Sequence, residues 1–189
     1  GQKEVMIRLG WLDSPDKARF LVPKYQSFAE GVHKAGIDRV LVLGMGGSSL
    51  TAEVLSSLLA AALRDAPLSL AILDSTDPAQ VAETAKSYPP DKSLYIVASK
   101  SGGTAEVMAA FNLFWEMSKG DSSRFVAITD PNTSLESLAR ERGFLRIFSS
   151  DESVGGRFAA LTDFGMVPAA LLGMDLSRLL DRADWMKRQ

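Results

Sequence analysis

Short apolar runs rich in β-branched and aromatic residues alternate along this chain with segments whose apolar residues recur at helical spacing. The runs are residues 39–43, 68–73, 94–98, 125–129 and 144–148, and the helical segments between them are residues 50–63, 78–87, 105–117 and 135–142. Four of the five runs are almost continuously apolar, which is typical of strands covered on both faces. The alternation predicts an α/β fold: a doubly wound parallel sheet of about five strands with helices on both faces.

Three segments follow from this pattern. Residues 1–37 are expected to form a helical lead-in that Pro23 breaks, residues 38–174 the sheet domain, and residues 175–189 a C-terminal helix. Residues 159–172 are expected to be helical as well. The chain begins with Gly1 instead of Met and closes on a charged helix, so we expect it to be part of a longer protein.

Composition excludes several classes of site. The chain has no cysteine and one histidine, so it cannot build disulfides, thiolate metal centres, iron–sulfur clusters or a multi-histidine zinc site. Its formal net charge of −2 is too balanced for nucleic-acid binding by bulk electrostatics. No apolar stretch is long enough to span a bilayer. The absence of cysteine fits a reducing compartment, and a cytoplasmic location is expected.

Two helix starts carry strong capping signals. Asp77 precedes a proline with Gln80 three positions later, and Thr133 stands three positions before Glu136. Both patterns predict capping boxes and therefore structural roles. His33 precedes the first strand and is expected to be structural or to face solvent, because ligands of open α/β sheets bind beyond the carboxyl ends of the strands. A functional site is accordingly expected in the loops after the first and third strands.

The loop after the first strand, residues 44–49, holds three glycines followed by two serines. Glycine lets the backbone turn tightly and approach a ligand closely, and the start of the following helix favours an anion. The loop does not match the dinucleotide-binding pattern, because Ser49 occupies the position of the third glycine, and no Gly-Lys-Ser/Thr follows as in a P-loop. A turn that needs glycine only for packing is the alternative.

The loop after the third strand, residues 99–106, reads SKSGGTAE. Its three hydroxyls, two glycines and helix start predict a cradle for a phosphate monoester, because hydroxyl and amide groups donate hydrogen bonds to the dianion. Lys100 would add positive charge beside that phosphate. Glu106 suits the dipole of the first helical turn, which is its structural interpretation.

This second loop resembles the phosphate-binding loop of SIS (sugar isomerase) domains, and its fuller form Ser-Lys-Ser-Gly-x-Thr-x-Glu resembles that of the phosphoglucose isomerase family. Two further motifs are similar to motifs of that family: Gly46-Gly47-Ser48, and Val154-Gly155-Gly156-Arg157-Phe158. The three motifs stand in family order, and the likeness covers residues 38–172. Two positions depart from the family pattern by losing a hydroxyl: Ala159 stands where serine is usual, and Gly103 where threonine is commoner.

The resemblance implies a set of site residues. The substrate-binding residues would be Gly47, Ser48, Ser99, Lys100, Ser101, Thr104 and Gly156. Arg157 would be catalytic, because a permanently charged guanidinium stabilises the enediolate that forms when a proton leaves carbon 2, and Glu106 would support it. Residues 38–174 would be an SIS domain of flavodoxin-like fold that binds a hexose 6-phosphate, with no metal or nucleotide cofactor.

The implied reaction is the interconversion of glucose 6-phosphate and fructose 6-phosphate. In the family, the base and the ring-opening residues follow the Gly-Gly-Arg segment, so this chain would be the sugar-phosphate-binding half, inactive alone, of a protein that is homodimeric at full length. The lead-in is similar to the shorter lead-in of bacterial members, including those in which a transaldolase precedes the isomerase.

Two alternatives stay open. A sugar-phosphate sensor built on one SIS domain would need the phosphate loops but not Lys100, Glu106 and the Gly-Gly-Arg segment together. A nucleotide-binding Rossmann domain would place an acidic residue after the second strand, where Asp74 stands, although its third glycine is missing.

Overall fold

The computed structural model describes residues 8–62 and 68–189. The strands are β1 (Arg39–Gly44), β2 (Ser69–Leu73), β3 (Ser93–Ala98), β4 (Phe125–Thr129) and β5 (Arg146–Ser149). The helices are α1 (Ser14–Lys34), α2 (Leu50–Ala62), α3 (Pro78–Ser87), α4 (Ala105–Met117), α5 (Ser134–Arg142), α6 (Asp163–Leu171) and α7 (Leu176–Lys187). Short 3-10 turns cover Gly10–Asp13, Gly46–Ser48, Ser122–Arg124 and Gly156–Leu161. Residues 1–7 of the predicted lead-in and Leu63 lie outside the described residues.

The five strands form one parallel sheet in the order β2-β1-β3-β4-β5, so the predicted doubly wound α/β fold is confirmed. In this order the chain reverses direction across the sheet between β1 and β3, which makes their carboxyl ends the switch point where ligands bind. The register pairs Gly44 with Ala98 and Ala98 with Ile128, so these three strands end side by side. The loops that follow them therefore start at one edge.

Helices cover both faces of the sheet, because successive side chains of a buried strand point to opposite sides. Val40 and Val42 pack on one face with α1, α2, α6 and α7, whereas Leu41 and Leu43 pack on the other with α3, α4 and α5. The central strands β1, β3 and β4 are buried almost completely, while the edge strands β2 and β5 are only partly covered. All residues of α6 are buried, which makes it the central helix of its layer.

Two local predictions were wrong. Pro23 does not break the lead-in, because α1 runs through it from Ser14 to Lys34. Burial of side chains such as Tyr25 and Phe28 against the sheet compensates for the hydrogen bond that the proline removes. The helix predicted over residues 159–172 begins only at Asp163, because Thr162 is extended and a 3-10 turn precedes it.

The fifth strand was predicted to begin at residue 144, but it begins at Arg146. Gly143 ends α5 in the left-handed conformation, and the Phe144 N–H returns to the Ala139 carbonyl oxygen, so these residues close the helix before the strand starts.

Both predicted N-caps are confirmed. The Asp77 carboxylate accepts hydrogen bonds from the N–H groups of Ala79 and Gln80, and the Thr133 hydroxyl accepts one from Glu136. The return bond of the capping box differs from the prediction in both cases: the Asp77 N–H donates to the Ser75 hydroxyl oxygen at 3.1 Å, and the Glu136 carboxylate accepts from the Asn132 N–H at 2.6 Å. Glu136 therefore holds the turn before the cap as well as the helix.

His33 lies in the last turn of α1, and its Nε2 is 3.2 Å from the carbonyl oxygen of Leu171 in α6. This contact joins two helices of one layer and gives His33 the structural place that its position predicted. Among residues 8–62 and 68–189, no helix is both long and apolar enough to cross a bilayer.

Candidate functional site

A cavity of about 390 Å³ opens at the carboxyl edge of the sheet, where β1 and β3 end. Its walls come from the loops that follow β1, β3, β4 and β5 and from the segment before α1. The lining residues are Arg8, Ser48, Lys100, Ser101, Thr104, Asp130, Glu152 and Gly156. The cavity therefore lies at the edge of the sheet where a functional site was expected.

A second cavity of the same volume lies at the opposite edge, between α1 and the residues that precede β1, β4 and β5. Phe28, Val32, Ile37 and Leu145 give it a mainly apolar lining. Parallel sheets bind ligands at their carboxyl ends, where helix N-termini and loop amides converge, so the first cavity is the candidate site.

The loop after β3 is organised from within by Ser99. Its buried hydroxyl lies 3.0 Å from the Thr104 hydroxyl and accepts a hydrogen bond from the Gly102 N–H at 3.1 Å. Gly102 has a φ of +73°, and a Cβ there would lie 2.4 Å from the Cβ of Thr133, so both the turn and the packing require glycine. Ser99 thus shapes the loop from behind and does not line the cavity.

Thr104 is the N-cap residue of α4, but its side chain makes no cap hydrogen bond. Because the Thr104 hydroxyl is paired with Ser99, the first amides of α4 keep their N–H groups unbound by the cap. A helix start with free amides and a positive dipole end favours an anion.

The loops after β1 and β3 are joined at the switch point. The backbone N–H of Lys100 donates a hydrogen bond of 3.3 Å to the hydroxyl oxygen of Ser48. Ser48 therefore has its own proton available to donate to a ligand, since a hydroxyl accepts and donates at the same time. Ser48, Ser101 and Thr104, which all carry hydroxyl groups, line the same cavity.

The ammonium group of Lys100 ties three neighbouring loops together. Its Nζ donates to Asp130 Oδ1 at 2.5 Å, after β4, and to the carbonyl oxygen of Asp151 at 3.0 Å, after β5. Both side chains of the ion pair are mostly covered. Burial raises the pKa of Asp130, and the hydrogen bond and charge of Lys100 oppose that rise.

The loop after β5 is held from the other side by α1. The Asp151 carboxylate accepts from Lys17 Nζ at 2.5 Å and from the N–H and hydroxyl of Ser153. Burial alone would raise the pKa of Asp151, but the hydrogen bonds of Lys17 and Ser153 outweigh it and lower the pKa to about 2. Asp151 is therefore a charged anchor for the segment that leads to the Gly-Gly-Arg motif.

Residues before α1 hold the same loop further along. Leu9 pairs with Val154 in an antiparallel bridge, and the rings of Trp11 and Phe158 stack with centroids 5.5 Å apart. These contacts bring Arg8 to the cavity, beside Gly156.

Five of the predicted site residues line the cavity: Ser48, Lys100, Ser101, Thr104 and Gly156. Two others stand directly behind its wall, Ser99 through its bond to Thr104 and Gly47 through a backbone contact with Gly156. The structure therefore brings residues of all three motifs together at one cavity, and their role in substrate binding stays a prediction.

Glu106 and Arg157 are not brought into the cavity with the others. Glu106 is exposed and lines a separate cavity of about 200 Å³ with Ser75 and Thr76. Glu106 is two residues after Thr104, and two residues of an α-helix rotate the side-chain direction by about 200°, so the two side chains point to different sides of α4. Arg157 is exposed and follows Gly156 in the 3-10 turn, so its backbone borders the cavity while its side chain does not line it.

Three residues that line the cavity were not predicted as site residues from the sequence: Arg8, Asp130 and Glu152. Asp130 and Glu152 closely follow the last residues of β4 and β5, so the carboxyl-end rule that located the other loops was a usable signal for both. Arg8 had no local signal, because its place depends on the bridge between Leu9 and Val154.

Residues 15–189 match the family described as Phosphoglucose isomerase. The chain is 32% identical over 179 residues to a glucose-6-phosphate isomerase of Thermus thermophilus, and the aligned region covers 91% of this chain and 41% of that protein. It is 36% identical over 154 residues to the glucose-6-phosphate isomerase of Carboxydothermus hydrogenoformans, covering 74% of this chain and 33% of the relative. The chain thus spans about two-fifths or less of the length of these relatives.

Solved structures show the same architecture. A hypothetical protein from Thermus thermophilus superposes with a TM-score of 0.85 and 29% identity over 95% of this chain and 43% of its own. A glucose-6-phosphate isomerase from Chlamydia trachomatis superposes with a TM-score of 0.77 over 90% of this chain and 33% of its own, and at 23% identity it shows the fold. The family match over nearly the whole chain, together with the three motifs around one cavity, shows that this chain belongs to the phosphoglucose isomerase family.

Proposed function

We propose that this chain forms the sugar-phosphate-binding half of a glucose-6-phosphate isomerase, which interconverts glucose 6-phosphate and fructose 6-phosphate through an enediolate. One observation carries the proposal: the hydroxyl-bearing residues Ser48, Ser101 and Thr104 line a single cavity at the start of α4. The relatives that match over most of the chain bear the name of this enzyme, which favours it over the sensor and nucleotide-binding alternatives.

The phosphate is proposed to bind at the hydroxyl-rich side of the cavity. Several hydroxyls and the first amides of α4 donate hydrogen bonds to its oxygens, and bonds to a charged acceptor are stronger than bonds between neutral groups. Lys100 contributes its backbone while its ammonium is bound to Asp130 and Asp151. The grip therefore depends on donor geometry more than on net charge.

The sugar is proposed to extend from the phosphate toward Gly156 and Arg157. Gly156 lines the cavity without a side chain and lets the sugar approach the backbone. The exposed Arg157 side chain can turn over the sugar without losing buried contacts, and there its guanidinium would stabilise the developing enediolate. Glu106 keeps only a favourable position in the first turn of α4.

The proton-transfer groups are proposed to lie in the remaining part of the protein, because the chain matches about two-fifths of the length of its Thermus relative. The isolated chain should then bind hexose phosphate but not interconvert it. We further propose that the full-length protein is a cytoplasmic homodimer that needs no metal or nucleotide cofactor.

The test is thermal unfolding of the chain with and without fructose 6-phosphate. The ligand should raise the melting temperature of the unmodified chain, because only the folded state binds it. Ser101→Ala should reduce that increase, since it removes a donor from the cavity, whereas Ser137→Ala on the exposed face of α5 should not. If fructose 6-phosphate does not change the melting temperature of the unmodified chain, the proposal is overturned.

A coupled assay for glucose 6-phosphate completes the test. Turnover by the isolated chain would contradict the assignment of the proton-transfer groups to another part of the protein, even if binding is found.

A further inference from the structure

The candidate site contains two carboxylates that the phosphate grip does not explain. Among the residues that the structure describes, four charged side chains line the cavity, and the two cations Arg8 and Lys100 are balanced by the two anions Asp130 and Glu152. A cavity that bound phosphate by charge alone would carry an excess of cations. The balance therefore indicates that different parts of this cavity serve different parts of a ligand.

Asp130 has one oxygen engaged and one available. Its Oδ1 accepts the hydrogen bond from Lys100 Nζ at 2.5 Å, and among residues 8–62 and 68–189 no hydrogen bond reaches its Oδ2. The carboxylate is mostly covered, with 17% of its side chain exposed, yet it lines the cavity. An available carboxylate oxygen in such a place can accept a hydrogen bond from a ligand that enters the cavity and displaces water.

The two possible occupants of that position differ in sign. A phosphate dianion close to Asp130 would be repelled, and the repulsion is strong in a partly buried site because water screens it poorly. A sugar hydroxyl, in contrast, donates a hydrogen bond to a carboxylate oxygen. In a sugar phosphate bound with its ester at Ser48, Ser101 and Thr104, the hydroxylated body is therefore the part that these carboxylates can bind.

We propose that Asp130 is a substrate-discriminating residue of this site: it accepts a hydrogen bond from a sugar hydroxyl and prevents a bare phosphate from occupying that end of the cavity. The proposal rests on the proposed function, since it requires a sugar phosphate as ligand. It also assigns a second effect to the Lys100 pair, because an ammonium held by Asp130 is unavailable to an incoming phosphate.

The test compares two probes, fructose 6-phosphate and inorganic phosphate, by calorimetric titration of the whole chain. The measured quantity is the ratio of the two affinities. Asp130→Asn removes the charge and keeps the shape, and Asp130→Ala removes both. Each should lower the preference for fructose 6-phosphate at least about tenfold, because inorganic phosphate gains access to Lys100 while the sugar loses a charged acceptor, which asparagine replaces only by a neutral carbonyl oxygen and alanine not at all.

Asp74→Asn is the matched control. It removes the same charge from an exposed residue that follows β2 and does not line the cavity, so the ratio should stay as in the unmodified chain. Melting curves of all variants show whether they fold. If Asp130→Ala does not fold, the isosteric Asp130→Asn still tests the proposal.

The outcomes separate the two proposals. An unmodified chain that fails to bind fructose 6-phosphate would overturn the proposed function and this inference with it. Binding of fructose 6-phosphate with a ratio that neither Asp130 substitution changes, or that Asp74→Asn changes equally, would overturn only the assignment of Asp130.

Discussion

A Cβ atom placed on Gly47 would lie 2.5 Å from the carbonyl carbon of Gly156 and 2.6 Å from its oxygen. The loop after β5 therefore crosses the ends of β4 and β3 to touch the loop after β1 backbone to backbone. This contact closes one side of the cavity, and it depends on the absence of a side chain at Gly47.

Gly47→Ala should lower the free energy of unfolding by about 1–3 kcal/mol, because the added methyl group meets backbone atoms that cannot rotate away. Chemical denaturation measures this loss. Gly31→Ala, in α1 with open space around it, is the control and should be neutral or slightly stabilising. Equal stability of the two variants would contradict the close contact.

Ser48→Ala should weaken fructose 6-phosphate binding about tenfold or more, because it removes a cavity hydroxyl and the acceptor of the Lys100 N–H. Stability should change by no more than about 1 kcal/mol, since one hydrogen bond is lost. Titration calorimetry measures the affinity, and Ser137→Ala should leave it unaltered. A Ser48→Ala chain that binds normally would remove Ser48 from the site.

Arg157→Ala should act on a charged analogue of the enediolate more than on the substrate. An aldonic acid phosphate carries a planar carboxylate where the enediolate forms, and its affinity should fall about tenfold to a hundredfold. The affinity for fructose 6-phosphate should fall less, because the substrate lacks that charge. Equal losses for both ligands would indicate that Arg157 serves binding in general and not the transition state.

Asp151→Asn should destabilise the chain by about 1 kcal/mol at neutral pH, after allowance for solvent screening of a partly exposed ion pair. The pKa of Asp151 is lowered from 3.8 to about 2 in the folded chain, so its stabilisation is present above pH 3.8 and is lost as the pH falls toward 2. Denaturation curves between pH 2 and 7 should show the two proteins converging at the acid end.

Lys17→Met provides the matching half of a double-mutant cycle for that pair. If the Lys17–Asp151 contact is the cause, the double variant should lose less than the sum of the single losses. Additive losses would contradict a direct interaction between the two side chains.

Asp163→Asn should change the pH dependence of stability in the opposite direction. Burial raises the pKa of Asp163, although Lys24 and the Tyr25 hydroxyl at 3.2 Å oppose the rise. A raised pKa in the folded state means that stability is lost as the pH rises through it, and the asparagine variant escapes this loss. Relative to the unmodified chain, the variant should therefore gain stability as the pH rises above 3.8, the ordinary pKa of the carboxyl group.

Tyr25→Phe should lower the free energy of unfolding, because it removes the hydroxyl that donates a hydrogen bond to the buried carboxylate of Asp163. The loss at pH 7 should be about 1–3 kcal/mol and should shrink in acid, where Asp163 is protonated. A pH-independent loss for Tyr25→Phe would show that the hydroxyl does not act through Asp163.

Local sequence patterns predicted most of the strands and several helix starts of this protein. Continuous apolar runs placed the strands, and caps such as Asp77 and Thr133 placed helix starts, because these features depend on residues a few positions apart. The hydroxyl- and glycine-rich loops indicated the edge of the sheet at which the cavity lies, because strands of a parallel sheet present their carboxyl ends together. Pro23 was misjudged, because burial of α1 overrides a local propensity.

The sequence by itself determined the alternation of strands and helices, and it placed the donors Ser48, Ser101 and Thr104 next to helix starts. Only the tertiary structure decided that the Lys100 ammonium binds Asp130 and Asp151, that Arg8 reaches the cavity, and that Glu106 turns away from it. The physical reason is separation along the chain: the Ser48–Lys100 and Lys100–Asp151 contacts join residues 52 and 51 positions apart, and no local pattern encodes which such groups meet.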